Sequence, residues 1–134
     1  MSKLLQIENL ESGFDTERGL VKAVDGISFE LEKGRTLGIV GESGCGKTVT
    51  AMSIVDLLPK PAGRVMGGSI GFMGRELRDA DPEVMYDLRG NDVVVIFQEP
   101  MAALNPVQRV GRQIIESLLL HRDLSKAEAL RKAV

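Results

Sequence analysis

The amino-acid sequence predicts an α/β fold built on a mixed sheet, with antiparallel strands at the N-terminus and helices towards the end of the chain. Two stretches of mixed apolar and polar residues, 4–10 and 26–31, have the composition of half-exposed strands. Two unbroken apolar runs, 37–40 and 93–97, have the composition of strands covered on both faces in a parallel sheet. A glycine-rich loop and an apolar stretch with helical spacing follow the first of these runs, which gives the order strand, loop, helix.

The two N-terminal strands flank residues 11–22, which contain turn-forming residues at Gly13, Asp15, Thr16 and Gly19. No regular hydrophobic period extends across residues 11–22. This segment therefore predicts a loop or a hairpin, and the two strands are expected to pair in antiparallel fashion near a sheet edge.

The central elements are predicted from apolar spacing and from the residues that end each run. The run 37–40 is expected to be a central strand, and residues 47–58 a helix that two prolines end. Within the glycine-rich segment 63–74, residues 69–73 are expected to form a short strand.

The second half of the chain is predicted to be mainly helical. Asp81 followed by Pro82 is typical of a helix start, and Gly90 of its end. The β-branched run 93–97 is expected to lie inside the sheet. Two further helices are predicted, the first over residues 107–121 and the second starting at Ser125, which has the capping-box spacing to a glutamate three residues later.

Composition indicates one folded domain over residues 1–134 and excludes some classes of partner. The hydrophobic fraction of 43% and the charged fraction of 27% are ordinary for a globular protein. The net charge is −2 and the charges of both signs are interspersed, so that no basic stripe is present to bind a nucleic acid.

The N-terminus and the apolar runs indicate a cytosolic chain with no direct membrane insertion. The N-terminal apolar run is too short for a signal peptide, and no run approaches the roughly 20 residues that span a bilayer. The lone cysteine, Cys45, cannot form an internal disulfide, which fits a reducing compartment. Any membrane association is therefore expected to come through a partner.

Residues 41–48, Gly-Glu-Ser-Gly-Cys-Gly-Lys-Thr, match the Walker A pattern G-x-x-x-x-G-K-[ST] of a phosphate-binding P-loop at every specified position. Glycines let main-chain N–H groups approach phosphates, and the following helix directs its unpaired N–H groups to the same place. A plain glycine-rich turn is the alternative, but such a turn does not need the Gly-Lys-Thr triplet. The residues expected to hold the phosphates are Gly41, Glu42, Ser43, Gly44, Cys45, Gly46, Lys47, Thr48 and Val49.

Two side chains of this loop have distinct expected roles. Lys47 is expected to place a charge on the β- and γ-phosphates of ATP, and the Thr48 hydroxyl to bind Mg²⁺. Cys45 is best explained as a small residue at an unspecified loop position. A reactive thiol is the less favoured interpretation of Cys45, although Lys47 and a helix N-terminus lie close to it in sequence.

Three stretches together resemble the ATPase subunits of ABC transporters more specifically than the P-loop alone. They are residues 23–34, Ala-Val-Asp-Gly-Ile-Ser-Phe-Glu-Leu-Glu-Lys-Gly, residues 38–48 around the P-loop, and residues 95–106, Val-Ile-Phe-Gln-Glu-Pro-Met-Ala-Ala-Leu-Asn-Pro. The last is similar to the Q-loop of the branch that imports oligopeptides, dipeptides or nickel. The resemblance implies a partial P-loop NTPase core and the start of a helical subdomain.

The resemblance also implies roles for residues outside the P-loop. Gln98 would contact Mg²⁺ and the attacking water, a role that suits an amide able to donate and accept. The segment from Gln98 to Pro106 would couple nucleotide state to a membrane subunit, although Asn105 and Pro106 also fit a plain turn. Phe14 would either stack on adenine or pack over the sheet edge. His121 is interpreted as a solvated helix-end residue and not as a catalytic switch.

The family likeness implies partners and also an incomplete catalytic unit. Expected partners are transmembrane permease subunits and a second ATPase subunit, in a homodimer or heterodimer at the inner face of the cell membrane. The sequence contains no LSGGQ-like signature, no Walker B strand and no later histidine switch, so the chain is interpreted as the N-terminal part of a nucleotide-binding domain. The isolated chain is expected to have negligible ATPase activity, and a non-catalytic regulatory role is the alternative.

Overall fold

An antiparallel sheet of four strands organises the first 85 residues in the computed structural model, which describes residues 3–99 and 104–134. The strands are β1 (Lys3–Thr16), β2 (Gly19–Glu32), β3 (Gly63–Phe72) and β4 (Arg75–Glu76), in the order β2-β1-β3-β4. The chain divides into two units, Met1–Met85 and Tyr86–Val134, and each is described by itself.

The predicted N-terminal hairpin is confirmed, and its strands run further into the predicted loop than expected. β1 and β2 pair, with several register shifts, as far as a tight turn in which Thr16 lies opposite Gly19. The Thr16 hydroxyl donates to the Gly19 carbonyl over 2.6 Å, and Gly19 adopts a φ of +107° that other residues rarely adopt. Local hydrogen bonding and a glycine thus close the turn that the composition predicted.

The core of the first unit lies between the sheet and helix α1 (Lys47–Ile54). Apolar residues from the strands and from the end of the helix are almost fully buried there, among them Ile7, Leu10, Ile70 and Val55. A polar contact lies in the same core, where the Ser12 and Ser53 hydroxyls are 2.8 Å apart and both residues are buried. Helix α1, whose first residue belongs to the P-loop motif, is therefore held on the sheet by apolar packing and one buried hydrogen bond.

Two strand predictions are wrong for the residues that the structure describes. Residues 37–40 join no ladder, and the run 93–97 makes only an isolated parallel bridge between Arg89 and Val93. Val40 is 93% exposed and Ile96 is 91% exposed. The apolar pattern indicates burial on two faces, but a strand forms only when a neighbouring strand accepts its hydrogen bonds. Within 3–99 and 104–134, no strand pairs with either run beyond that single bridge. The described sheet is consequently antiparallel and not mixed.

The predicted helices are all present, with shorter bounds. Helix α1 ends at Ile54, before the prolines, and Asp56 has a φ of +49° that is incompatible with a continuing helix. The others are α2 (Pro82–Leu88), α3 (Val110–His121), which begins three residues later than predicted, and α4 (Lys126–Ala133). The capping box at Ser125 is confirmed. Within the described residues, no helix has the length and apolar content to cross a membrane.

Candidate phosphate-binding site

The backbone of the P-loop motif takes the conformation for which its glycines are needed. Gly44 and Gly46 have φ values of +82° and +91°, in the left-handed region. A Cβ atom on Gly46 would lie 2.5 Å from the carbonyl oxygen of Ala23, and one on Gly41 would lie 2.5 Å from the Cys45 sulfur. A side chain at Gly46 would therefore clash with the backbone and strain the loop, one at Gly44 would be strained by its φ, and one at Gly41 would require the Cys45 side chain to move.

The loop leads into the N-terminus of α1 without a side-chain cap. Gly46 is the N-cap residue and makes no side-chain hydrogen bond to the helix. The first hydrogen bond of the helix runs from the Thr50 N–H to the Gly46 carbonyl over 2.8 Å. The amides of Lys47, Thr48 and Val49 precede it, so helix geometry supplies them with no acceptor. These amides and the positive end of the helix dipole are the parts of the site that attract an anion.

The Lys47 ammonium group lies on the loop itself. Its Nζ atom donates to the carbonyl oxygens of Gly41 and Glu42 over 2.8 and 2.7 Å, and it lies 3.3 Å from the Cys45 sulfur. In the described part of the chain, Lys47 forms no ion pair with a carboxylate. The positive charge is therefore positioned by neutral carbonyl groups and is not neutralised by an acidic side chain.

The remaining P-loop side chains are accessible. Glu42, Ser43, Cys45 and Thr48 are all exposed. The Thr48 hydroxyl follows Lys47 in the first turn of α1, where it can act as a ligand. The described residues contain no cluster of three or more histidine, cysteine, aspartate or glutamate side chains that could hold a metal ion. A magnesium ion here would have to take most of its oxygen ligands from a phosphate group and water, as Mg²⁺ commonly does.

Phe14 lies in strand β1, opposite Val21 on one side and Gly63 on the other, and not in a loop as predicted. The ring is half-buried, and its Cε1 atom is 3.0 Å from the position that a Cβ on Gly63 would take. This close approach to Gly63 fits packing of the ring on the sheet, which was one of the two interpretations. Stacking of the ring on adenine stays a prediction.

Gln98 lies at an exposed bend in the second unit, Tyr86–Val134, after the segment that was expected to be a strand. The P-loop belongs to the first unit. The joint binding of Mg²⁺ by Thr48 and Gln98 therefore stays a prediction. Part of the predicted coupling segment, residues 100–103, lies outside the described residues.

Two polar residues make contacts in the second unit that the sequence did not predict. Gln113, on α3, makes three hydrogen bonds to the backbone of the loop that contains Asn105 and Gln108. His121, which was expected to be a solvated helix-end residue, is half-buried, and its Nε2 atom lies 2.7 Å from the position that a Cβ on Gly90 would take. Neither contact has a local sequence pattern, since each depends on how the chain folds back on a helix.

Comparison with known proteins places these features in one family. The model of the ABC transporter family matches residues 24–134. The dipeptide transport ATP-binding protein DppD of Bacillus subtilis is 48% identical over 134 residues, which is 100% of this chain and 40% of that protein. The oligopeptide transport ATP-binding protein OppD of Escherichia coli is 46% identical over 131 residues, or 98% of this chain and 38% of that protein. The chain thus spans about two-fifths of the length of these relatives.

A solved structure shows the same fold. The dimeric structure of MJ0796, a bacterial ABC transporter cassette, superposes with a TM-score of 0.78 at 17% identity, covering 96% of this chain and 53% of that one. At this identity the likeness concerns the fold alone. The predicted α/β fold class is confirmed by this match, although two of the predicted strands do not form among the described residues.

Proposed function

The chain belongs to the ABC transporter family, and from this membership we propose that it supplies the ATP-binding part of a peptide importer. The observation that carries the proposal is the arrangement of the phosphate loop. Two left-handed glycines, an uncapped helix N-terminus and an ammonium group free of carboxylates converge on residues 41–48. Such an arrangement favours a polyanion such as the triphosphate of ATP over a neutral ligand.

Each part of the loop has a proposed role in binding ATP. The backbone N–H groups of residues 42–49 hold the phosphate oxygens, and the Lys47 ammonium neutralises charge on the β- and γ-phosphates. The Thr48 hydroxyl would supply a ligand to the Mg²⁺ that accompanies ATP, and by the family resemblance Gln98 would contact the metal and orient the attacking water. Phe14, in strand β1 of the same unit as the loop, is the candidate contact for adenine.

The proposed partners follow from the family and from the names of the relatives. We propose that the chain corresponds to the N-terminal part of a nucleotide-binding domain that pairs with a second ATPase subunit and docks on transmembrane permease subunits. Relatives named as dipeptide and oligopeptide transport proteins support peptides as the transported solute, and a dimeric cassette structure supports pairing. The proposed location is the cytoplasmic face of the cell membrane, where the permease subunits hold the chain.

Calorimetric titration of Mg-ATP into the wild-type chain and into Lys47→Ala tests the proposal. We expect saturable binding by the wild type and an affinity at least about tenfold lower for the variant, because a charge-assisted contact with phosphate is lost. Lys60→Ala is the matched control, since Lys60 is an exposed lysine that pairs with Asp56 over 2.9 Å. Equal affinities for all three proteins, or no binding by any, would remove the assignment.

A further inference from the structure

The side-chain amide of Gln113 binds the backbone of a loop eight residues earlier in the chain. Its Oε1 accepts the N–H of Asn105 over 2.9 Å, and its Nε2 donates to the carbonyl oxygens of Asn105 and Gln108 over 3.0 and 3.1 Å. Both backbone polar groups of Asn105 are thus bound by one side chain. The arrangement resembles the pairing of neighbouring strands, with Gln113 in place of the second backbone.

The loop has little else in the second unit to hold it in place. Residues 104–108 are exposed, and Val107 is 88% exposed, so apolar burial contributes little to their position. Within the loop, the Asn105 side chain accepts the Val107 N–H over 3.0 Å, and the Asn105 carbonyl also accepts the Gln108 N–H over 3.2 Å. These hydrogen bonds fix the conformation of the loop, whereas the hydrogen bonds of Gln113 attach the loop to α3.

Only an amide of this length satisfies the site. A glutamate would accept from Asn105 but would set a carboxylate against two carbonyl oxygens, and a methionine would fill the space without strong hydrogen bonds. An asparagine would be one methylene too short to reach from α3. Gln113 is itself half-buried, so its side chain is held in place when it makes these bonds.

We propose that Gln113 is a positioning residue, which fixes the C-terminal end of the segment after Gln98 to helix α3. The inference rests on the proposed function and on the coupling to a membrane subunit that the family resemblance implies for residues 98–106. With Asn105 attached to α3, a displacement of residues 104–106 is passed to the helix instead of being absorbed by the loop. Loss of the attachment should therefore uncouple turnover from the permease while leaving ATP binding at residues 41–48 intact.

The first test measures the attachment itself, by hydrogen exchange of the Asn105 amide in the full chain. Gln113→Met should raise the exchange rate about tenfold or more, because the acceptor of that N–H is removed. Gln108→Met is the matched control, since only the backbone of Gln108 takes part. Gln113→Glu is a second variant that keeps the length and one acceptor, and it should also raise the rate. Unchanged exchange in both Gln113 variants would overturn the inference.

The second test measures ATP hydrolysis by the transporter assembled with its membrane subunits. The assembly uses the nucleotide-binding domain of which this chain is the proposed N-terminal part, and kcat is normalised to the number of sites that bind Mg-ATP, so that a loss of folded protein does not lower it. Gln113→Met should then lower kcat about tenfold and leave KM for ATP within about twofold. A wild-type kcat in this variant, with ATP binding intact in both proteins, would overturn the positioning role alone. Failure of the wild type to bind Mg-ATP would instead overturn the proposed function and this inference with it.

Discussion

The Nζ atom of Lys47 lies 2.8 Å from the carbonyl oxygen of Gly41, so that a hydrogen bond joins the beginning and the end of the phosphate loop. A second hydrogen bond, 2.7 Å long, joins the same ammonium group to the carbonyl oxygen of Glu42 near the start of the loop. Carbonyl groups position the cation without neutralising it, and its charge stays available to a phosphate group. Lys47 thus stabilises the conformation of the loop and is also the residue proposed to bind the phosphates.

Gly46→Ala should be more damaging than Gly44→Ala. Both positions have left-handed φ values, which cost a non-glycine residue about 1–2 kcal/mol. Only at Gly46 would the new Cβ also lie 2.5 Å from the Ala23 carbonyl, whereas nothing lies within 4 Å at Gly44. Urea unfolding and Mg-ATP titration of the two variants measure the difference. Equal losses of stability and affinity would show that the close approach to Ala23 is unimportant.

Ser53→Ala should destabilise the first unit by about 1–3 kcal/mol, because the buried Ser12 hydroxyl loses its partner. Ser12→Ala should cost less, because the Ser53 hydroxyl still donates to the Val49 carbonyl over 2.7 Å. The double alanine variant should be no less stable than Ser53→Ala. Free energies of unfolding in urea provide the comparison, and a double variant much less stable than either single variant would contradict it.

Helix α4 should lose stability in acid through its capping box. Hydrogen bonds from the Ser125 hydroxyl and backbone N–H hold the pKa of Glu128 below its usual range. A carboxyl with a lowered folded-state pKa stabilises the fold above its unfolded-state pKa, and this contribution is lost as pH falls through the folded-state pKa. The protection factors of the α4 amides, which are exchange rates relative to the intrinsic rate at each pH, should therefore fall in acid.

Two variants check the origin of this pH dependence. Glu128→Gln should remove it, since an amide does not titrate in this range. Ser125→Ala should weaken the helix by about 1 kcal/mol at neutral pH, through loss of the N-cap. Persistence of the same acid sensitivity in Glu128→Gln would rule out Glu128 as its source.

The isolated 134-residue chain should bind nucleotide but release phosphate at a negligible rate. Neither a carboxylate base nor a Walker B aspartate was found in its sequence, and these groups are needed to activate water and hold the metal. A steady-state phosphate-release assay with Mg-ATP in excess measures this directly, with Lys47→Ala as the background. Robust turnover above that background would contradict the expectation.

Local features of the site could be predicted from the sequence because they depend on neighbours along the chain. The left-handed glycines of the P-loop, the hairpin at Gly19 and the capping box at Ser125 each follow from residues a few positions apart. Backbone angles and short-range hydrogen bonds are encoded at that distance. The phosphate loop was accordingly placed correctly before a helix, whereas the strand predicted ahead of the loop, residues 37–40, does not form.

Features that depend on distant residues could not be predicted in this way. The Ser12–Ser53 hydrogen bond joins residues 41 positions apart, and the attachment of Asn105 to Gln113 depends on how a loop folds back on α3. For residues 37–40 and 93–97 the apolar pattern indicated strands buried on both faces, but Val40 and Ile96 are more than nine-tenths exposed. The pattern did not say whether a pairing strand was available, and among the described residues the only pairing of either run is the isolated bridge between Arg89 and Val93.

The most direct test of the central claim is an NMR titration of the ¹⁵N-labelled chain with Mg-ATP, following backbone amide shifts. If the loop amides bind the triphosphate, the largest chemical-shift changes should occur at residues 42–49. Inorganic tripolyphosphate should reproduce most of these changes, whereas adenosine should not. Shifts confined to other residues, or an equal response to adenosine, would contradict a site built from main-chain N–H groups and Lys47.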